Sequence, residues 1–385
     1  MTEARRAGGP LAGITVIEMA GLGPVPLAGL ILAELGARVV RVERLSRDRA
    51  FLPIPEAYDL DRHGREILRL DLKHPKAIAL LTRLAMAADA LIEGFRPGVM
   101  ERLGLGPDTL CEANPRLVYG RMTGFGQEGP LAQRAGHDLT YIAWSGILHA
   151  IGHAGKRPVP PLNLVGDYGG GTMFLVAGVL AALIERGISG KGQVVDAAMV
   201  DGAAMLAAPF FGFAASGFWN EARGENLLDS GCPFYDTYET ADGRYIAVAC
   251  LEPQFFAEFA RLLPLDVSFA ANQYDRTTWP AMRAAIAELI RARSRDDWTA
   301  LFAGTDACVA PVLSLAEAPH SAHSEARSAH ATVGNMTRPR PAPRFSRTAP
   351  SVSGLPIEDT AATLTRFGID ADELEALASV GAIAR

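Results

Sequence analysis

ITVIEMAGLGPVPLAGLILAELGARVVRVE, residues 14–43, sets a short apolar run, a Gly/Pro turn, a helical run and a second short apolar run in immediate succession. Ile14 to Glu18 is short enough to be a strand, and Gly21 to Pro24 form the turn after it. Val25 to Leu35 has helical spacing, and Gly36 stands where a helix stops. Arg38 to Glu43 then predicts a second strand. Outward from this unit the alternation continues: a helix over Lys76–Ala87, strands over Ala90–Glu93 and Leu117–Thr123, and an apolar helix over Thr172–Glu185. Short strands alternating with helices predict an α/β, Rossmann-like parallel sheet covered on both faces.

The same stretch imitates a dinucleotide fingerprint, with Gly21-x-Gly23 after a strand and Glu43 about twenty residues on. Pro24 removes an N–H where a pyrophosphate would be held, and Pro26 replaces the third glycine. Dinucleotide binding is therefore not expected. A helix N-terminus at the ligand-binding end of the sheet is.

A chain of 385 residues exceeds one compact core. The expected division is a large domain (1–200), a crossing linker (201–230), a smaller α+β domain (231–315), a second linker (316–340) and a C-terminal segment that returns to the large domain (341–385). Val195–Phe213 is almost wholly apolar and predicts a buried helix or one that crosses to a partner chain. Paired runs over Phe234–Ala249, around Ala241–Gly243, predict a hairpin followed by helices to about Phe302. Ala316–Pro350, rich in His, Ser, Pro and Arg, predicts a surface connection; His320, His323, His330 and Glu325 within it match no metal spacing.

A net charge of −6 argues against a general nucleic-acid partner. Arg5 and Arg6 precede no apolar segment, and no run reaches the roughly 18 uninterrupted apolar residues that a membrane span requires. Cys111, Cys232, Cys250 and Cys308 are scattered, without metal-like spacing. A soluble, cytoplasmic protein is the expectation.

Three stretches set ionisable residues among glycines or at the end of an apolar run: Gly136-His137-Asp138, Asn163 to Gly171 around Asp167, and Ala249 to Pro253 around Glu252. Read singly, Asp167 serves equally as a helix cap, His137 as a loop histidine and Glu252 as a surface residue. With these blocks, and with Glu93 to Val99, Arg102-Leu103-Gly104, Pro160 to Asp167, Gly190 to Ala197 and Tyr235 to Tyr238, the chain resembles family III of the CoA-transferases. Within that family it is similar to the branch that racemises 2-methylacyl-CoA thioesters. The resemblance runs from Gly9 to about Thr348.

It implies an interlocked homodimer, whose active site takes residues from the large domain of one chain and the small domain of the other. His137 and Asp167 become the catalytic acid/base residues and Glu252 the support for His137. CoA contacts fall on Arg44, on Leu70, Asp71, Leu72 and Lys73, on Gly94, Phe95 and Arg96, on Arg102, and on Gly136, Asp138, Leu139, Thr140 and Tyr141. The segment from Arg44 to Leu70, with Pro53 and Pro55, departs from the family pattern.

Racemisation next to a thioester needs one acid/base group on each face of the carbon, both able to gain and lose a proton. A histidine suits this at its ordinary pKa, whereas Asp167 must be raised by burial. Backbone N–H groups at Asp167 and the following helix start are candidate donors to the enolate oxygen. Met173, Met199 and Met205 are candidate contacts for the acyl chain. No metal or organic cofactor is expected, since CoA belongs to the substrate. The first rival is a CoA-transferase with Asp167 as nucleophile. Against it, transferases of the family carry a glycine run where Glu225–Pro233 stands here, and lack the His137 and Glu252 combination. The second rival is a non-catalytic acyl-CoA-binding subunit.

Overall fold

A computed structural model describes residues 8–46 and 54–384. Arg5, Arg6 and Pro53, which figured in the sequence reading, lie outside them. The chain divides into unit 1 (Met1–Ser145, Leu162–Leu206 and Glu325–Arg385) and unit 2 (Gly146–Pro161 and Ala207–Ser324). Elements are numbered along the chain.

Unit 1 is built on a six-stranded sheet, β1 (Thr15–Met19), β2 (Arg38–Arg44), β3 (Arg65–Leu70), β4 (Ala90–Glu93), β5 (Val118–Thr123) and β6 (Val194–Ala198), in the order β3-β2-β1-β4-β5-β6. All pairings are parallel, with Ile17 opposite Val40 on one side and Leu91 on the other. The central strands read as continuous apolar runs because both faces are covered. Val16, Val39 and Ile92 enter the core on one face, with Leu32 of α1 (Pro24–Glu34) and Val176 and Val179 of α7 (Met173–Ser189). Ile17, Val40 and Leu91 enter the core on the other, with Leu81 and Leu84 of α2 (Pro75–Met86).

The α2 helix starts where His74 Nδ1 accepts the Lys76 N–H at 3.1 Å, followed by Pro75 at a first-turn position that needs no donor. Short helices α3 (Val99–Arg102), α4 (Pro107–Ala113) and α5 (Asp138–Trp144) complete the first half, and α8 (Met199–Leu206) follows β6. After a short helix α14 (Ala322–Ala326), the returning chain adds a hairpin of β10 (His330–Val333) and β11 (Met336–Pro339), then α15 (Thr360–Thr365) and α16 (Ala371–Ser379). Leu364, Ile369, Leu377 and Ile383 join the core beside α2. Edge strand β3 is bridged at Glu66 by Ile357 and at Leu70 by Ile383.

Unit 2 holds an antiparallel sheet of β7 (Tyr235–Glu239), β8 (Tyr245–Ala249) and β9 (Val309–Pro311), with helices α6 (Ile147–Ala150), α9 (Ala208–Ala215), α10 (Pro253–Leu262), α11 (Val267–Ala271), α12 (Trp279–Ile290) and α13 (Arg295–Phe302). Phe234, Phe256, Phe259, Trp279, Ile286, Trp298 and Phe302 form its core.

Several expectations are corrected. Val194–Ala198 is a strand, so the apolar segment read as one helix is β6, α8 and α9 in turn. Gly146–Pro161 groups with unit 2, where Arg223 grips the carbonyls of His149 (2.6 Å) and Lys156 (2.7 Å). The segment read as a bare connection contains the β10–β11 hairpin, and the segment from Arg44 to Leu70 contains β3. Among the described residues, one helical stretch, Leu164–Ser189, is long and apolar enough to cross a membrane. In unit 1 it is a core helix: Leu175, Val176, Val179 and Ala182 are buried, and Arg186 holds Asp89 at 2.9 Å.

Candidate active site

A parallel sheet brings the carboxyl ends of its strands to one edge. Here the strand order reverses between β1 and β4, the place where open α/β sheets bind ligands. The turn after β1 ends at Gly23, whose φ of 73° belongs to the left-handed region, and Pro24 opens α1. A Cβ at Gly23 would lie 3.2 Å from Asp167 Oδ2, so the failed dinucleotide turn is one wall around Asp167. Glu43, the residue that would hold a ribose, is instead paired with Arg62 (3.0 Å) and Arg41 (3.2 Å).

Asp167 sits in a π-helical segment, Leu164–Thr172, that leads into α7. Such i→i+5 turns are rare and mark functional places. Close backbone packing fixes this one: a Cβ on Gly202 of α8 would fall 1.9 Å from the Gly170 carbonyl, and one on Gly170 would fall 2.5 Å from Ala203 N. The Thr172 hydroxyl donates to the Pro24 carbonyl at 2.8 Å and ties the far end of the segment to α1.

Burial pushes the Asp167 carboxyl above the ordinary range. The Asn163 amide, which donates to Oδ2 at 3.1 Å, works against that rise. The Asp138 charge adds to the rise and the His137 charge opposes it.

His137 is exposed and stands just before α5. The Thr140 hydroxyl accepts the His137 N–H at 3.0 Å and donates to the His137 carbonyl at 2.7 Å, which locks the backbone there. Gly136 precedes it because the Tyr141 ring fills the space: a Cβ at 136 would lie 2.5 Å from that ring, and one at Gly124 2.1 Å. Burial, helped by the nearby Asp167 charge, pushes the Tyr141 hydroxyl up to about 12.

His137 and Asp167 are thus brought together by α5 and the π segment. Glu252 lies in unit 2, exposed, directly before α10. Electrostatically it acts on Tyr274 and Cys308 within that unit.

One expectation fails at Asp167 itself. The Gly166 and Asp167 N–H groups both donate to Asp138 Oδ1, each at 2.7 Å. They are not free for an enolate oxygen. Asp138, assigned through the resemblance to a CoA contact, is buried and spends its carboxylate on the Asp167 turn. Asn163 was missed as a partner, although its place four residues before Asp167 is the spacing of helical neighbours. The bond from Asp138 across 28 residues left no trace in sequence spacing.

The expected CoA residues lie along the ligand edge of the sheet. Arg44 ends β2, Asp71 to Lys73 follow β3, and Gly94 to Arg96 follow β4. Arg44, Lys73, Arg96 and Arg102 are exposed and make no ion pair among the described residues. Buried Glu93 fixes the 94–96 loop, with Oε2 accepting the Phe95 N–H at 2.7 Å and Oε1 taking Arg121 Nε at 3.0 Å. Gly94 is needed there because a Cβ would press to 2.9 Å from Val25. Leu70 is a core side chain and offers no side-chain contact to a ligand; Leu72 and Phe95 pack partly against the same core. Met173 and Met205 are exposed, whereas Met199 is buried in the core and lines no acyl site. Among the described residues, no group of three or more His, Cys, Asp or Glu could hold a metal ion.

Comparison with known proteins places the chain in a family. The family described as CoA-transferase family III matches residues 11–361. An α-methylacyl-CoA racemase of Mus musculus is 43% identical over 370 residues, covering 94% of this chain and 95% of its own length. That of Homo sapiens is 42% identical over 376 residues, covering 96% of each. A solved CAIB/BAIF family protein from Brucella suis superposes with a TM-score of 0.80 at 27% identity, covering 94% of this chain and 100% of the other. The chain belongs to CoA-transferase family III.

Proposed function

We propose that the protein is a racemase that interconverts (R)- and (S)-2-methylacyl-CoA thioesters by 1,1-proton transfer through an enolate. The observation that carries this is the pairing of His137 with an aspartate that burial holds above the ordinary carboxyl range. Such a carboxyl is suited to donate a proton as well as to take one. With one enantiomer His137 removes the α-proton and Asp167 returns one to the opposite face; with the other the roles exchange. The thioester carbonyl supplies the acidity, so the step needs no cofactor. With the Gly166 and Asp167 N–H groups committed to Asp138, the enolate oxygen falls to the first-turn N–H groups of α5, at Asp138 and Leu139, which have no acceptor within the helix.

CoA transfer through Asp167 is the rival. It requires an ionised nucleophile, which burial of this carboxyl opposes. The loop that replaces the glycine run is also tied down: Asp229 accepts N–H groups from Gly224 (2.8 Å), Asn226 (2.7 Å) and Gly231 (3.1 Å). The deciding experiment is incubation of a 2-methylacyl-CoA with the enzyme in heavy water. Deuterium should enter the α-carbon with either enantiomer as substrate. An acyl-enzyme trapped by hydroxylamine without α-deuterium would overturn the reading in favour of transfer.

The exposed cations at the strand ends are the proposed anchors of the CoA phosphates. Replacing Arg44 or Arg102 by Ala should raise KM for acyl-CoA roughly ten- to a hundred-fold, as expected for losing one charge-assisted hydrogen bond, with kcat changed less. An equal loss with a pantetheine thioester that lacks the nucleotide would show that these arginines act elsewhere.

The active form is proposed to be a homodimer in which Glu252 of one chain orients and charge-balances His137 of its partner. Two apolar surfaces support it: α9 buries none of its residues, and α7 leaves Ile184 and Ile188 71% and 85% exposed. Sedimentation equilibrium at micromolar concentration should report twice the chain mass. A folded, active monomer would refute the arrangement.

A further inference from the structure

Asp138 is a buried carboxylate that crosses between two elements. Its Oδ1 accepts the N–H groups of both Gly166 and Asp167, at 2.7 Å each, while Oδ2 is buried with no hydrogen-bond partner among the described residues. Gly166 is what allows so close an approach, since a Cβ there would lie 2.5 Å from Oδ1. Asp138 directly follows His137, so one side chain joins the residue that opens α5 to the turn that carries Asp167. We propose that Asp138 is the positioning residue of the proton-transfer pair: its carboxylate fixes the Asp167 turn relative to His137, and its negative charge faces the Asp167 carboxyl. The proposal rests on the racemase reading of the same site.

A carboxylate at this point does two separable things. As an acceptor it satisfies two N–H groups that the π-helical turn leaves over, which are costly to bury unpaired. As an anion it disfavours ionisation of a neighbouring carboxyl. The titratable groups that act on Asp167 are His137 and Asp138, and Asp167 acts in turn on Tyr141; all three stand on α5 or just before it. Asn163, on the π segment side, is a neutral donor, and the β1–α1 turn offers only Gly23. Asp138 is therefore the one negative group acting on Asp167 among the described residues, so its charge can be tested alone.

Asp138→Asn keeps an oxygen acceptor and removes the charge; Asp138→Ala removes both. Amide hydrogen exchange in a peptide spanning residues 163–172 should be faster in Asp138→Ala and unchanged in Asp138→Asn. For α-proton exchange, Asp138→Ala should lose roughly a hundred-fold in kcat, the scale of a misplaced reacting group, with a smaller change in KM. In Asp138→Asn the limb of the pH profile on which Asp167 must hold a proton should move toward acid pH. A purely structural role would leave that limb in place, and an unmoved limb overturns the proposal, as does unchanged amide exchange in Asp138→Ala. If Asp138→Ala does not fold, Asp138→Asn carries the test. Failure of the racemase reading would appear separately, as no α-deuterium uptake by the wild type. In that case the amide-exchange comparison still decides whether Asp138 holds the turn.

Discussion

Replacing His137 or Asp167 by Ala is expected to abolish net racemisation while leaving each variant a different residual activity. Removing a positioned general acid or base typically costs about 10²–10⁴-fold, and inversion needs both groups, so both variants should fall at least that far. Solvent exchange is more discriminating. By the family resemblance His137 serves the S substrate and Asp167 the R. His137→Ala should then retain exchange from R, and Asp167→Ala from S. Deuterium uptake followed by NMR for each enantiomer separately checks this; equal loss from both enantiomers in both variants would defeat the two-face assignment.

Asp167 also makes a stability prediction whose sign is fixed. Its folded-state pKa is raised, so the stability it contributes is fully present below the unfolded-chain value near 4 and is lost as pH rises through the folded value. Asp167→Asn cannot ionise and escapes that loss. Its urea midpoint relative to wild type should increase from acid toward alkaline pH, even though the variant is inactive.

The second large effect lies beneath the site. Glu18 and Arg65 are each 0% exposed, and Arg65 Nε meets Glu18 Oε2 at 3.0 Å. Arg41 holds the other oxygen, and a Cβ on Gly29 would fall 2.0 Å from Oε2, so the carboxylate is enclosed. Arg65 also donates to the carbonyls of Pro26 and, at 2.5 Å, His63. Glu18→Ala should cost about 3–5 kcal/mol, because it leaves a buried guanidinium without its counter-charge. That is a large share of a stability of about 5–15 kcal/mol, so urea denaturation should show a strongly lowered midpoint. Replacing both partners by apolar residues, Glu18→Leu with Arg65→Met, should recover most of the loss. A Glu18→Ala variant within about 0.5 kcal/mol of wild type would show that Glu18 is not the counter-charge Arg65 depends on.

Glu18 also explains which parts of the fold were legible. β1, α1 and β2 fall within a residue or two of their sequence boundaries, since Gly21 to Pro24 separate the first two and Gly36 the last two. β3 was not found because Arg65, Glu66 and Arg69 make it look like a loop. Those charges are neutralised only by tertiary partners: Glu18 for Arg65, Arg38 for Glu66 at 2.8 Å, and Glu358 for Arg69 at 2.7 Å. β6 was lost for the opposite reason, since it passes into α8 through residues apolar enough to continue either element. The π-helical segment has no sequence signature at all; its register comes from Gly170 packed on Gly202. At the site, the resemblance supplied His137 and Asp167 by residue type. What spacing could not supply was the link between them, which also reassigned the enolate donors.

The cover over β3 has a consequence for how the chain is made. An edge strand with open N–H and C=O groups is a template for unwanted pairing, and here Ile357 and Ile383 close it. Both emerge from the ribosome roughly 290–310 residues after β3, which at about 5–20 residues/s is a delay of tens of seconds. During that interval β1, β2, β4 and β5 can already associate around apolar runs, while the β3 edge of the sheet stands uncovered and the core beside α2 lacks Leu364, Ile369 and Leu377. The nascent protein therefore passes through a stage in which it is sticky along one side, and a stalled or shortened product would be an aggregation-prone species rather than a smaller working enzyme.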